Sequence, residues 1–188
     1  MTLGYAAIQG QDLPGLAHPY MAQTTDEFRV TVSLSLRNGA EMLSIDQTIG
    51  SFIVPGQPIG WRASLASSAG GLAVLAVLPQ AVRDEMLGVI EASNPAAWPR
   101  RQERIRHAFA QYESTGFVVV TDMFDGQYAA AAVPIIEGRG SQLRYWGLAG
   151  SGLTTTWTAE ALKPVGEALK RVQALLQPAA SVMLSASS

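Results

Sequence analysis

The chain has 188 residues, of which 48% are apolar and only 15% charged, with a net charge of −2 and no cysteine. One domain is the default at this length, able to bury roughly 70% of its unfolded surface. Disorder, disulfide frameworks, thiolate metal sites and a cysteine nucleophile are excluded, and near-neutrality argues against gripping nucleic acid by counterion release.

Residues 1–25, punctuated by Gly4, Gly10, Pro14, Gly15 and Pro19, read as a connector rather than core. A short helix is expected after Asp12, with Pro14 tolerated in its first turn. From Phe28 the period becomes two: Phe28, Val30, Val32, Leu34 and Leu36 alternate with Arg29, Thr31, Ser33 and Ser35, as in a half-buried strand. Asn38-Gly39 tolerates the positive φ of a tight hairpin, so a return strand runs from Met42 to Ile49. A third extended piece, Phe52 to Pro55, follows Gly50.

Ser67-Ser68-Ala69-Gly70-Gly71 leads into Leu72-Ala73-Val74-Leu75-Ala76-Val77-Leu78-Pro79, apolar on every side and so a buried helix, serine-capped and stopped at Pro79. Residues 80–92 put Val82, Met86, Leu87 and Ile90 on one face of a second helix. Pro99 opens a third, with Ile105, Ala108, Phe109 and Tyr112 inward and Arg100, Arg101 and Arg104 outward; Gly116 ends it. Phe117 to Thr121 reads as a strand, Asp125-Gly126 as a turn, and Tyr128 to Ile136 as a strand buried on both faces. After a loop over Glu137 to Gly140, Leu143 to Ala149 is another strand. A last helix from Thr158 to Gln177 packs Ala161, Leu162, Val165, Leu169 and Val172, and the tail beyond Pro178 frays. Hairpin-linked strands, then helices, then strands, then a helix describe an α+β domain with antiparallel pairing.

Most candidate chemistry has a plain explanation. Gly147-Leu148-Ala149-Gly150-Ser151-Gly152 fails as a nucleophile elbow, because Ala149 and Leu153 stand where glycines are needed around Ser151. Without a following Lys it is no phosphate-binding loop either, and it reads as a glycine-rich loop ending a strand. His18 and His107 are too few for a histidine metal site, and His107, beside Arg104 and Arg106, reads as solvated. Asp122 and Asp125 suit either acid–base chemistry or turn formation. The Arg100, Arg101, Arg104, Arg106 cluster, interrupted by Glu103, reads as a solvated helix face. An enzyme would need Asp122 as base with Ser67 or Ser151 as nucleophile; nothing pairs them, so no catalysis and no cofactor are expected. No apolar run approaches the roughly 18 residues of a membrane span and no secretory signal is visible, so a cytoplasmic protein is expected.

Ser67 to Gly71 is the strongest site candidate, and two readings stand side by side. Short side chains leave the first amides of a buried helix bare, where the helix dipole favours a carboxylate. The same short side chains also let two backbones approach closely.

The order of elements carries further information. Glu41-Met42-Leu43-Ser44-Ile45-Asp46, Gly60, Ala69 through Pro79, Ile105-Arg106 through Gly116-Phe117, Gly126 through Ile135, and Leu148-Ala149-Gly150-Ser151 follow one another in sequence. This ordered set, spanning residues 3 to 178, resembles the C-terminal, effector-binding domain of IclR-type transcriptional regulators. The resemblance implies a GAF-like fold: a curved antiparallel sheet of six strands, with helices on both faces and a small-molecule pocket. It implies a connector over 1–25 from a winged helix-turn-helix domain absent from this truncated chain, an effector-binding domain over 26–178, and a tail over 179–188.

The resemblance also implies a homodimer or homotetramer that meets DNA only through that missing domain, with a small organic acid or aromatic metabolite as effector and no membrane partner. The family pocket would be lined by Phe52, Pro55, Ala63, Ala69, Gly70, Gln127 and Ala129, with an acidic family position falling on Val120, Thr121 or Asp122. The family's usual His, Pro and Lys are Ala66, Ser64 and Leu72 here, which implies a more apolar pocket. Trp61, Tyr128, Tyr145 and Trp146 are candidate aromatic walls, or else core. The alternative reading is a dimerisation module without a ligand.

Overall fold

In the computed structural model, residues 12–51 and 58–183 are described. The Asp12 carboxylate accepts a hydrogen bond from the Gly15 amide at 3.0 Å and caps helix α1, Leu13–Phe28, which Pro14 opens and Arg29 closes at φ 62°. This helix is longer than expected, and it belongs to the core: Leu13, Ala17 and Met21 are fully buried.

Strands β1 (Thr31–Asn38) and β2 (Glu41–Thr48) form the expected hairpin, with Gly39 at φ 62°. The short third strand, β3, is Arg62–Ser64; the segment Phe52 to Pro55 lies outside the described residues. Helices α2 (Ala69–Val77), α3 (Gln80–Ser93) and α4 (Trp98–Thr115) follow, with a 3-10 turn over Pro95–Ala97 between the last two. Strands β4 (Val118–Met123), β5 (Tyr128–Glu137) and β6 (Arg144–Leu153) precede helix α5, Lys163–Met183. The last helix starts later than expected, because Thr158 and Leu162 belong to a turn that leads into it. It also continues past Pro178, and Ala180 is buried.

The six strands form one curled antiparallel sheet, in the order β3-β2-β1-β6-β5-β4. Helices cover both faces. On one, α2, α3 and α4 pack Leu72, Leu75, Met86, Ile90 and Ile105 against Val118, Val120 and Ala130. On the other, α1 and α5 pack Leu13, Met21, Val165 and Leu169 against Val32, Leu34, Val133 and Leu148.

Gly147 to Gly152 lies inside β6, which corrects the expectation of a loop. These glycines serve close approach instead of turning the chain. A Cβ on Gly147 would stand 2.8 Å from the Gly70 Cα, one on Gly150 would stand 2.8 Å from Val165, and one on Gly152 would overlap the Trp157 ring. Both sides of β6 therefore carry helices or loops pressed onto the backbone.

Two irregularities set which side chains face which layer. Leu34 pairs with Asp46 but Ser35 pairs with Ser44, so Ile45 is an extra residue in β2. A one-residue bulge reverses the alternation beyond it. In β4 the same happens between Val120, paired with Ala130, and Met123, paired with Tyr128. Where β4 no longer covers β5, Gln177 takes its place: its side-chain oxygen accepts from the Ile136 amide at 3.0 Å and its amide group donates to the Ile136 carbonyl.

Candidate functional site

Between α2 and the sheet lies a cavity of about 50 Å³. Its floor follows from the strand alternation. Val32 and Leu34 go to the α1–α5 side, which turns Ser33 and Ser35 of β1 toward α2. The bulge at Ile45 places both Ser44 and Gln47 of β2 on this same face, although they are three residues apart. Ala149 and Ser151 of β6 and Ala130 of β5 complete the floor. Met42, Trp61, Ala63 and Met123 form the walls, and Ser68, Ala69 and Gly70 at the start of α2 form the roof.

The roof is electropositive without a charged side chain. Ser68 Oγ accepts from the Gly71 amide at 3.1 Å, and the Ser68 carbonyl accepts from the Leu72 amide at 3.0 Å. The amides of Ala69 and Gly70 have no partner among the described residues, and they sit at the positive end of the helix dipole. The close-packing reading of this segment applies at Gly71. Gly71, whose Cβ would meet the Leu65 carbonyl oxygen at 2.4 Å, serves close packing; a Cβ on Gly70 would find only ordinary contacts from 3.5 Å outward.

Hydroxyl groups dominate the polar part of the lining, through Ser33, Ser35, Ser44, Ser68 and Ser151. Ser151 Oγ donates to the Thr31 carbonyl at 3.2 Å, and Ser35 Oγ donates to the Gly147 carbonyl at 3.4 Å. Ser44 is 8% exposed and its hydroxyl has no partner among the described residues. Its own backbone is fixed, since its amide donates to the Trp61 carbonyl at 2.9 Å. No Arg, Lys, His, Asp or Glu is among the lining residues described. The departures from the family pattern point to a more apolar pocket, but the sheet supplies polar groups to this one.

Of the residues expected at the site, Ala63, Ala69 and Gly70 line the cavity. Phe52 and Pro55 lie outside the described residues. Ala129 is buried in the opposite core layer, and its neighbour Ala130 faces the cavity, because adjacent strand residues point to opposite faces. Gln127 is exposed at the β4–β5 turn. Val120, Thr121 and Asp122 border a different groove, along α4, with Arg100, Arg104, His107 and Gln111.

Asp122 lies within β4, where its carboxylate accepts a hydrogen bond from Arg104 and stands 3.7 Å from Arg100. Arg104 is thus pinned to the sheet, unlike the solvated face expected of its cluster. His107 is exposed, as expected, and His18 pairs with Asp46 at 2.7 Å. Among the described residues no group of three or more His, Asp or Glu is placed to hold a metal ion.

Among the candidate aromatic walls, Trp61 lines the cavity with its ring 5.6 Å from that of Phe124 at a tilt of 45°, and Phe124 meets Tyr128 edge-on at 5.7 Å. Tyr145 is core on the α2 side, and Trp146 is core on the other, its indole N–H donating to Glu137 at 2.8 Å. Ser33, Ser35, Ser44, Gln47 and Ser151 were missed as lining residues. Their signal is the serine-bearing face of the alternating strand, which reads the same whether water or a helix covers it.

Residues 5–171 match the family described as Bacterial transcriptional regulator IclR C-terminal. No curated protein matches the chain. Among solved structures, the chain is similar to an IclR-family transcriptional regulator from Brucella abortus, with TM-score 0.81 and 24% identity over 94% of this chain and 66% of that one. It is similar to the IclR protein of Thermotoga maritima, with TM-score 0.75 and 21% identity over 94% of this chain and 71% of that one. An IclR homologue from Microbacterium hydrocarbonoxydans, complexed with 4-hydroxybenzoate, gives TM-score 0.70 and 20% identity over 98% of this chain and 75% of that one. The chain spans 66% of the length of the Brucella regulator, and at these identities the likeness establishes the fold. Sequence match and fold together place the chain in the IclR family of bacterial transcriptional regulators, as a C-terminal domain.

Proposed function

We propose that this domain is the effector sensor of a cytoplasmic transcription factor. A small organic acid enters the cavity beneath α2, its carboxylate meets the amides of Ala69 and Gly70, and its body lies over the hydroxyl-lined floor. The observation that carries this reading is the pair of unpartnered amides at a helix start whose residues line a partly polar pocket. The Microbacterium homologue, complexed with 4-hydroxybenzoate, supports small-molecule binding on this fold. A binding role fits the side chains better than catalysis, since Ser151 is committed to the Thr31 carbonyl and Asp122 to Arg104.

The acid acts by preferring one arrangement of a homodimer or homotetramer, and so shifts the population able to bind DNA. DNA contact falls to a winged helix-turn-helix domain beyond these residues. A coupling of about 1–3 kcal/mol suffices, since it changes affinity by roughly 5–150-fold.

Thermal melting against a panel of small carboxylic acids tests the proposal. An acid at about 100 times its Kd adds about 2.7 kcal/mol of stability. Ala149→Leu, which fills the floor of the cavity, abolishes the shift while leaving the fold. A panel in which no acid raises the melting temperature, or in which Ala149→Leu responds like the natural chain, overturns it. Normal oligomerisation with no ligand response would favour a dimerisation module.

A further inference from the structure

We infer that the groove between the first turns of α4 and the β4–β5 turn is a separate binding site, and that it takes a phosphate group carried on a flat ring, as in a nucleotide or another aryl phosphate.

Charge is the first observation. Arg62, Arg100, Arg101 and Arg104 line this groove, four of the thirteen basic residues of the chain, so cations gather here although the net charge is −2. Three of them stand in the first two turns of α4, which has no acidic residue in its first turn and no side-chain cap. The start of a helix is its positive end, where carboxylates are favoured and arginines are repelled. Local preference and sequence therefore conflict at this spot, and such conflicts gather at functional sites.

The molecule answers these arginines only in part. Asp122 accepts a hydrogen bond from Arg104 and stands 3.7 Å from Arg100, so one carboxylate serves two guanidinium groups. Arg101 reaches only neutral acceptors, the Ile90 carbonyl and the Ser93 hydroxyl, both at 3.5 Å. Arg62, on the other wall beside the exposed Ser67, pairs with Glu41 at 3.4 Å, and both of those side chains are half exposed. Arg100, Arg101 and Arg104 outnumber the two carboxylates of the lining, Asp122 and Asp125. A phosphate monoester carries about −1.5 to −2 charge and three acceptor oxygens, so it can accept from two guanidinium forks at once. A carboxylate, with two oxygens and one charge, leaves more of this set unanswered.

The second observation is independent of charge. Trp61 and Phe124 line the same groove with ring centroids 5.6 Å apart, and Phe124 is 38% exposed. Its backbone lies in the left-handed region at φ 50°, followed by Asp125 at 57° and Gly126 at 79°. Two non-glycine residues in that region store strain in a turn that holds an aromatic ring against the groove. A flat ring stacked there would cover apolar surface beside the cationic end. The groove adjoins the cavity under α2, sharing Trp61, Ala63 and Met123. The groups that meet an anion differ: arginines line the groove and not the cavity, while Ala69 and Gly70 line the cavity and not the groove.

Isothermal titration calorimetry of the full chain with phenyl phosphate, adenosine monophosphate, inorganic phosphate, phenol and adenosine tests the inference. Phenyl phosphate or adenosine monophosphate is expected to bind at least about tenfold tighter than inorganic phosphate and than its own phosphate-free counterpart. Which of the two binds tighter separates a nucleotide from a smaller aryl phosphate. Arg100→Gln combined with Arg101→Gln weakens the ring-bearing phosphates by about tenfold, and Phe124→Ala brings them to the level of inorganic phosphate. If the double variant does not fold, Arg100→Gln alone, at a side chain 82% exposed, carries the comparison. Ala149→Leu, which fills the neighbouring cavity, leaves this binding intact. No binding, binding no tighter than that of inorganic phosphate, unchanged affinity in a folded arginine variant, or loss of binding in Ala149→Leu overturns the inference. Each of these results leaves the sensor reading standing, because that reading is decided by the carboxylic acids.

Discussion

Gly70 and Gly147 face each other across the contact between α2 and the sheet, yet alanine at the two positions should act in opposite directions. A Cβ on Gly147 would stand 2.8 Å from the Gly70 Cα and 2.9 Å from its carbonyl carbon and oxygen. All three are backbone atoms and cannot rotate away. The start of α2 must retreat by about 0.6 Å to restore ordinary contact, and overpacking of this kind costs about 1–3 kcal/mol. A Cβ on Gly70 points elsewhere, meeting Gly147 Cα at 3.5 Å and Ser35 Oγ at 3.6 Å, both normal contacts. Gly70→Ala therefore keeps the packing and gains up to about 1 kcal/mol of helix propensity. At about 2–4 °C per kcal/mol for a domain of this size, Gly147→Ala should melt several degrees below Gly70→Ala. Calorimetric or denaturant melting of the two variants gives the comparison. Equal shifts, or a larger loss at Gly70, would refute the reasoning that places the helix start in direct contact with β6.

Ser68→Ala removes the bond to the Gly71 amide at 3.1 Å and should lower stability by about 1 kcal/mol, read from urea midpoints. Glu137→Ala leaves the buried Trp146 indole N–H without its acceptor at 2.8 Å, so a loss of about 1–3 kcal/mol and altered tryptophan emission are expected. Gln177→Ala uncovers the Ile136 amide and carbonyl, and should cost about 1–2 kcal/mol with faster amide exchange along the end of β5.

The strand alternation from Val30 to Leu36, the Asn38-Gly39 hairpin and the all-apolar α2 were legible in the sequence because local pattern and tertiary packing agree there. The first helix is longer than its sequence suggests because glycines and prolines punctuate residues 1–25, whereas the Asp12 cap and the burial of Leu13 and Met21 hold it in place. The glycines of β6 read as a loop because local sequence cannot separate a turn glycine from one that admits a neighbouring backbone. The small-residue roof of the site was visible; its floor was not. Which face of β2 carries Ser44 and Gln47 depends on the extra residue Ile45, a property of strand register that no single-strand pattern displays.

Backbone amide NMR during titration with an acid that raises the melting temperature reaches the core of the account, because it observes the two proposed anion-binding groups themselves. The Ala69 and Gly70 resonances should move first and furthest, and saturate together. Resonances that stay fixed at Ala69 and Gly70 while changes gather at another surface, such as the Arg100–Asp122 groove, would contradict it.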